Sequence, residues 1–366
     1  MMRTAKILDG LSSSFQNKKN EARYVPLIFS LNIATLPTLC GFQLNSSNLK
    51  SNAHRAKAIV KHILANNYDL VILQEAWSIP IANYFQRMLS EKYLSSARGV
   101  GRSNCILMKG GVMVFSRYEI VDYYAASFPR HTCSEEWLGG KGPQMLKIKM
   151  NPDTFTTVIN CHVHSDTAEN GLCGESFLKR LSQLFCQGAL SDIQRRDEQF
   201  AFLSKKMQRW AKLPPEGSSL IYGGTLLAGD FNIVLNSEKE VLTDKNILPG
   251  QHGLFSQIKF NRPLNYNAAD TVTAGTYRSA PDKKPAAILD GIFQSKDSDQ
   301  FEAKTRMIWL KDENGDDVTD HASIVAELRN GLFSAPSVPE VKVQQAEHSY
   351  TTPRPNVGLR LRLRKP

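Results

Sequence analysis

The run Leu226-Leu227-Ala228-Gly229-Asp230-Phe231-Asn232-Ile233-Val234-Leu235 constrains this chain more than any other stretch, because an apolar segment of that length has to be buried and yet carries a carboxylate and a carboxamide. As a strand, its period of two delivers Asp230 and Asn232 to one side of a sheet edge. As a turn, Gly229-Asp230 and Asn232 are ordinary turn formers. An ionised carboxylate is buried at a cost of several kcal/mol unless a partner compensates it, so the strand reading requires polar partners elsewhere.

Other apolar runs supply them. Pro26 to Leu36 reads as a first strand interrupted by Asn32, and Asp69 to Trp77 as a second that terminates on Glu75. Between them Ala53, Ala56, Ile59, Val60, Ile63 and Leu64 mark one face of a helix ending near Asn66-Asn67. A helix over roughly 81–92 and a strand over Gly110–Ser116 follow, then strands over Met145–Met150 and Thr156–His164. In the latter Asn160, His162 and His164 share a face opposite Cys161 and Val163. Ile193, Phe200, Leu203, Met207 and Trp210 predict a helix stopped by Pro214-Pro215. Ile288 to Phe293 is an apolar run punctured by Asp290, and Thr319-Asp320-His321 opens a last strand. Residues 165–192 and most of 236–287 read as insertion and loop, with Asp270–Tyr277 a short strand candidate.

Composition narrows the class. The chain has 366 residues, 42% hydrophobic and 22% charged, which is enough for one large α/β domain. No stretch approaches the ~18 consecutive apolar residues of a membrane span. The net charge of +10 sits mostly at the ends, +3 in residues 1–23 and +4 in 335–366. Three segments are therefore expected: a flexible basic arm (1–25), a catalytic domain (26–330) and a basic Pro-containing tail (331–366). The tail's alternating Leu359 to Lys365 suits an edge strand or a stripe for lipid or nucleic acid, and its basic charge suits nucleic acid, an anionic membrane surface, or a solvated terminus. Met1 to Asn20 lacks the apolar core of a cleavable export signal, so a cytoplasmic protein or a signal-independent route is expected. Six cysteines without a CxxC pair argue against a zinc site.

Asn32, Glu75, His162, Asp230 with Asn232, Asp290 and Asp320-His321 thus all stand where strong apolar strands end. Carboxylates and amide oxygens without thiolates suit a hard cation such as Mg²⁺, other divalent ions being possible. Two histidines add a base and an acid, and that set suits phosphoester hydrolysis.

The series Leu-Asn-Ile (31–33), Leu-Gln-Glu (73–75), Asn-Cys-His (160–162), Gly-Asp-Phe-Asn (229–232), Leu-Asp-Gly-Ile (289–292) and Asp-His (320–321) resembles the endonuclease/exonuclease/phosphatase superfamily, which includes deoxyribonuclease I and neutral sphingomyelinases. The resemblance implies a four-layer α/β/β/α sandwich, two mainly antiparallel sheets flanked by helices. Leu-Gln-Glu-Ala-Trp (73–77), Lys-Gly-Gly-Val (109–112) and the Leu-Gly-Gly-Lys-Gly that ends at Gly142 look most like the sphingomyelinase branch. It implies Glu75 as the main metal ligand, supported by Asn32, with Asp320 steadying the metal or the His321–Asp290 dyad. It further implies His321 as general base held by Asp290, Asp230 and Asn232 positioning the nucleophile, and His162 on the leaving group, with His164 as fallback. By the same likeness Cys133 and Cys173 would form a disulfide.

The activity these resemblances lead one to expect is a monomeric Mg²⁺-dependent phosphodiesterase, foremost a sphingomyelinase-like phospholipase C acting on a phospholipid or sphingolipid at a membrane surface. A nuclease acting on DNA or RNA is the alternative, and a catalytically inactive binding module of the same fold is the third. Met307-Ile308-Trp309-Leu310 is the only apolar stretch near Asp320 that could serve a membrane-entering hairpin.

Overall fold

Strand β1 (Leu27–Asn32) sends Phe29 and Leu31 to one side and Ile28 and Ser30 to the other, and nearly all of it is buried. A strand apolar on both faces needs a covering layer on each. The computed structural model supplies those layers; it describes residues 24–35, 38–39, 42–43, 49–99, 110–128, 141–164, 192–233, 248–259 and 289–336. Beside β1 runs β4 (Leu70–Gln74), parallel to it with Asn32 opposite Gln74. Helix α1 (Asn52–Asn66) makes the crossover. The Ser51 hydroxyl accepts from His54 N at its start, and Asn67 ends it in the left-handed conformation. With α2 (Ile79–Leu89), α1 covers Phe29, Leu31, Val71 and Leu73.

The first sheet is completed by antiparallel neighbours in the order β13 (Glu302–Ile308), β14 (Ser323–Arg329), β1, β4, β6 (Met113–Ser116), β5 (Ser95–Arg98). The second repeats the pattern: β11 (Ile258–Lys259), β12 (Asp290–Ser295), β10 (Ile221–Asp230), β9 (Thr154–His162), β8 (Gln144–Lys149), β7 (Glu119–Ala125). Again the central pair, β9 and β10, is parallel and every other pair antiparallel. Its crossover contains α3 (Asp192–Arg209), which with α4 (Pro249–Phe255) covers Ile159, Cys161, Leu227 and Phe231. The inner faces meet through Ile28, Ile72, Val158, Leu226, Ala228, Ile292 and Ile324. The expected four-layer α/β/β/α sandwich is the fold observed. A short ribbon of β2 (Thr38–Leu39) and β3 (Phe42–Gln43) follows β1.

Besides the short β2, β3 and β11, three longer strands among the described residues were not expected from the sequence. β5 and β7 are edge strands with little apolar patterning, and β13 buries only Ala303, Thr305 and Met307 between charged residues. The chain after β13 turns at Gly315 (φ +83°), with Glu313, Asn314 and Asp316 exposed at the tip, whereas Met307 and Leu310 are buried. That hairpin therefore offers solvent an acidic tip rather than an apolar one. Packing continues past residue 330: Ser334 N donates to Met150 O, and the Phe333 ring packs at a tilt against Phe301, centroids 5.8 Å apart. No described helix is long and apolar enough to cross a membrane. The Asp270–Tyr277 strand, Cys133 and Cys173, and the basic ends lie outside the described residues; the described cysteine, Cys161, is a buried free thiol.

Candidate active site

Strand alternation brings the polar residues together. Asn32, Asp230, His162 and Asp290 all sit on the inner face at the same end of the sandwich, Asp230 being opposite His162 on one side and Asp290 on the other. Gln74, level with Asn32, donates from Nε2 to Asn160 Oδ1 (2.9 Å) one row deeper on β9, and Asn160 Nδ2 donates to the carbonyls of Leu73 (3.0 Å) and Met113 (3.1 Å). These bonds fasten one sheet to the other beneath the site.

Glu75 arrives differently. β4 ends at Gln74, and continued alternation would turn Glu75 to the helix side with Val71 and Leu73. Its backbone instead adopts φ +54°, which an L-residue holds only at a cost, and the side chain accepts from Asn32 Nδ2 at 2.9 Å. Ala34 (φ +48°) and Asn232 (φ +49°), at the exits of β1 and β10, share this conformation.

The same Asn32 amide donates to Asp230 Oδ2 (3.0 Å), while Ala34 N donates to Asn32 Oδ1 (3.0 Å). Asn32 thus turns its nitrogen to the two carboxylates and its oxygen away, which departs from the expected ligand role. His162 Nε2 stands 3.7 Å from both Glu75 Oε1 and Asp230 Oδ2. His321 Nδ1 meets Asp290 Oδ2 at 2.7 Å, and its Nε2 is 3.9 Å from Asp230 Oδ2. Among the described residues two groups of candidate metal-holding atoms result, Glu75 with His162 and Asp230, and Asp230 with Asp290 and His321, each within 4.8 Å.

The remaining expected residues are placed less centrally. Asp320 lies outside both groups, its Oδ1 3.3 Å from Thr319 Oγ1, although its charge reaches Glu75 and His321. Asn232 falls beyond the end of β10; its backbone N donates to Asp230 Oδ1 (2.9 Å) and its Nδ2 to Val163 O (2.8 Å). The side chains of Asp230 and Asn232 therefore do not share a strand face. β9 stops at His162, so His164 is not continued on its face; its backbone N donates to Gln199 instead. His162 is the histidine beside the carboxylates.

Burial and mutual repulsion shape the ionisation. The Asp230 carboxyl is pushed up to about 7 by burial and then by the charge of Asp290. Glu75 is raised by burial and by Asp320. Burial opposes a charge on His321, but its contact with Asp290, joined by Asp230 and Asp320, outweighs that and holds it well above the usual imidazole value. His162 is driven well below it by burial, then by Lys141, His321 and His164.

Two neighbours carried no expected role. Lys141, buried, has Nζ 3.4 Å from His162 Nε2 and 3.4 Å from Val163 O. Arg55 is buried beneath Asn32 and Glu75; its spacing of four from Ile59, on the apolar stripe of α1, was the available signal. Trp77, in contact distance of Gly111, lies with its ring 6.0 Å from that of His162.

The sequence model described as the Endonuclease/Exonuclease/phosphatase family matches residues 30–299. The chain is similar to Sphingomyelinase C of Bacillus cereus, 25% identical over 315 residues that cover 77% of this chain and 85% of that protein. Among solved structures, beta toxin of Staphylococcus aureus superposes with a TM-score of 0.59 at 20% identity, covering 82% of this chain and 99% of that one. A double variant of that toxin, solved with bound magnesium ions, gives 0.56 at 20% identity over 82% and 98%. At such identities these superpositions speak to the fold alone.

Proposed function

This chain belongs to the endonuclease/exonuclease/phosphatase family, and from that membership we propose that it is a Mg²⁺-dependent phosphodiesterase of the sphingomyelinase type, a phospholipase C that releases phosphocholine and ceramide from sphingomyelin. The observation that carries the chemistry is the meeting of Glu75, His162 and Asp230 at one point, with the His321–Asp290 pair beside it. The likeness to Sphingomyelinase C over most of both chains supports the lipid substrate.

The donor set fits a hard cation. Three carboxylates converge with raised or mutually repelling charges and no thiolate among them, a crowding that a divalent ion relieves. Glu75 and Asp230 would hold it, with Asp320 alongside and Asn32 orienting both carboxylates. Bound there, Mg²⁺ supplies positive charge against the phosphoryl oxygens.

The side chains divide the remaining work. Asp290 accepts the Nδ1 proton of His321 and turns Nε2 to the site; in its deprotonated form, which a cation offsetting the surrounding carboxylates would favour, that nitrogen would take a proton from the attacking water. Asp230, fixed by Asn32 and by the backbone of Asn232, positions that water. His162 would serve the leaving oxygen, the role the resemblance implies, from an imidazole that burial keeps neutral before a cation binds.

Phosphocholine release from sphingomyelin vesicles and nicking of plasmid DNA, both in Mg²⁺ and both with a His321→Ala control, test the proposal. Lipid turnover that the substitution removes supports it. Plasmid nicking without lipid turnover makes the protein a nuclease, and no turnover on any phosphoester makes it a binding module.

A further inference from the structure

Arg55 has no exposed surface, and each of its five N–H donors is used. Nε donates to Lys50 O (3.1 Å), Nη1 to Ile33 O (2.8 Å) and Val318 O (2.9 Å), and Nη2 to Ala34 O (2.7 Å) and Asn52 Oδ1 (2.8 Å). All five acceptors are neutral. A guanidinium buried without a carboxylate in contact is costly, and a hydrophobic side chain of similar volume on the same helix stripe would avoid that cost. Its presence calls for something that only a planar fork can do.

The acceptors identify what that is. Ile33 and Ala34 form the exit of β1, directly after Asn32, and Ala34 is the left-handed residue whose N–H sets the Asn32 carboxamide. Thr35, the next residue, donates both N (3.1 Å) and Oγ1 (2.8 Å) to the carbonyl of Glu75. Val318 directly precedes Thr319-Asp320-His321, and Thr319 Oγ1 donates to Asn32 O (2.8 Å). Arg55 therefore joins two adjacent segments of the first sheet, the exit of β1 and the approach to β14, which carry Asn32 and His321 into the site. Burial lowers its pKa to about 10, against the raising influence of Asp320 and Glu75, so it stays charged at neutral pH.

We infer that Arg55 is a positioning residue of the proposed phosphodiesterase centre: its guanidinium locks the left-handed exit of β1 to the Val318–His321 segment, and so fixes Asn32, Glu75 and His321 relative to one another. This rests on the preceding functional reading. Lysine keeps the charge but offers three donors from a single point and cannot span both segments.

The test compares Arg55→Lys, and Asn52→Ala as a milder variant that frees one guanidinium donor, with the full-length protein. Three quantities are read: amide exchange in the metal-free state, Mg²⁺ affinity by calorimetry, and kcat and KM per folded molecule on sphingomyelin vesicles. Exchange should quicken at Ala34 and His321 together while β9 and β10 keep their protection. Mg²⁺ binding should weaken, and kcat should fall between about 10- and 100-fold for Arg55→Lys with KM little changed. Asn52→Ala should move all three the same way by less. Folded Arg55→Lys with wild-type exchange at both amides, or with faster exchange but unchanged kcat and Mg²⁺ affinity, overturns the inference. Should Arg55→Lys fail to fold, Asn52→Ala decides by the same criteria. A wild-type protein that turns over no phosphodiester refutes the functional reading, and exchange with Mg²⁺ affinity still judges the lock.

Discussion

The imidazole of His321 and the carboxylate of Asp290 meet at 2.7 Å although they stand on different sheets, His321 before β14 and Asp290 at the first position of β12. The pair closes the gap between the two sheets at the end where Glu75 and Asp230 converge.

Asp290→Asn removes the charge that holds His321 protonated, so the His321 pKa should drop. For a base that works unprotonated, the ascending limb of kcat against pH should move to lower pH, while kcat at the optimum falls by roughly 10²–10⁴-fold as the ring loses its orientation. A pH–rate series at saturating Mg²⁺ checks this, and a limb that stays in place would remove Asp290 from the mechanism.

Asp230 carries a stability signature of its own. Its folded pKa of about 7 lies above the unfolded value, so the metal-free native state binds the extra proton and loses stability as pH rises from about 4 through 7. Asp230→Asn lacks that loss. In EDTA its stability should match wild type near pH 4 and exceed it at pH 8 by roughly 2–4 kcal/mol, read from urea unfolding. An equal gap at both pH values would contradict the assignment.

Chelation should abolish turnover, and Mg²⁺ should restore it. Because Glu75 and Asp230 hold protons more tightly than free carboxylates, Mg²⁺ should raise Tm more at pH 8 than at pH 5. At an ion concentration of about 100 Kd the gain is about 2.7 kcal/mol. Scanning calorimetry at both pH values measures it, and a pH-independent gain would place the ion elsewhere.

Gly229, directly before Asp230, has φ +149°, and a Cβ there would lie 1.9 Å from the Cys161 carbonyl oxygen. Gly229→Ala should cost roughly 1–3 kcal/mol and reduce turnover, because the backbone shift needed falls between β9 and β10 where His162 and Asp230 pair. Denaturant unfolding alongside kcat tests the coupling; a stable variant with native kcat would show that this pairing tolerates the shift.

The sandwich was legible because its central strands are long and apolar on both faces, and helices α1 and α3 carry clean stripes. Each polar interruption at Asn32, Glu75, His162, Asp230 and Asp290 marked a strand end. Edge strands β5 and β7 were not legible, since a strand covered on one side needs little apolar sequence. The burial of Lys141 and Arg55 beside the site was not legible either, because a charged residue in a loop or a helix reads as solvated until its surroundings are known.

By itself the sequence determined which residues had to be buried, the alternation that set Asp230, His162 and Asn32 on inner faces, and the residue types suited to a hard cation. Only the tertiary structure decided that Glu75 faces the site, since its left-handed backbone reverses what alternation predicts. The same holds for Asn32 giving its nitrogen rather than its oxygen to the carboxylates, and for Asn232 leaving the strand. Each choice turns on one backbone angle or one hydrogen bond to a distant segment, and such contacts exist only once both sheets have closed on each other.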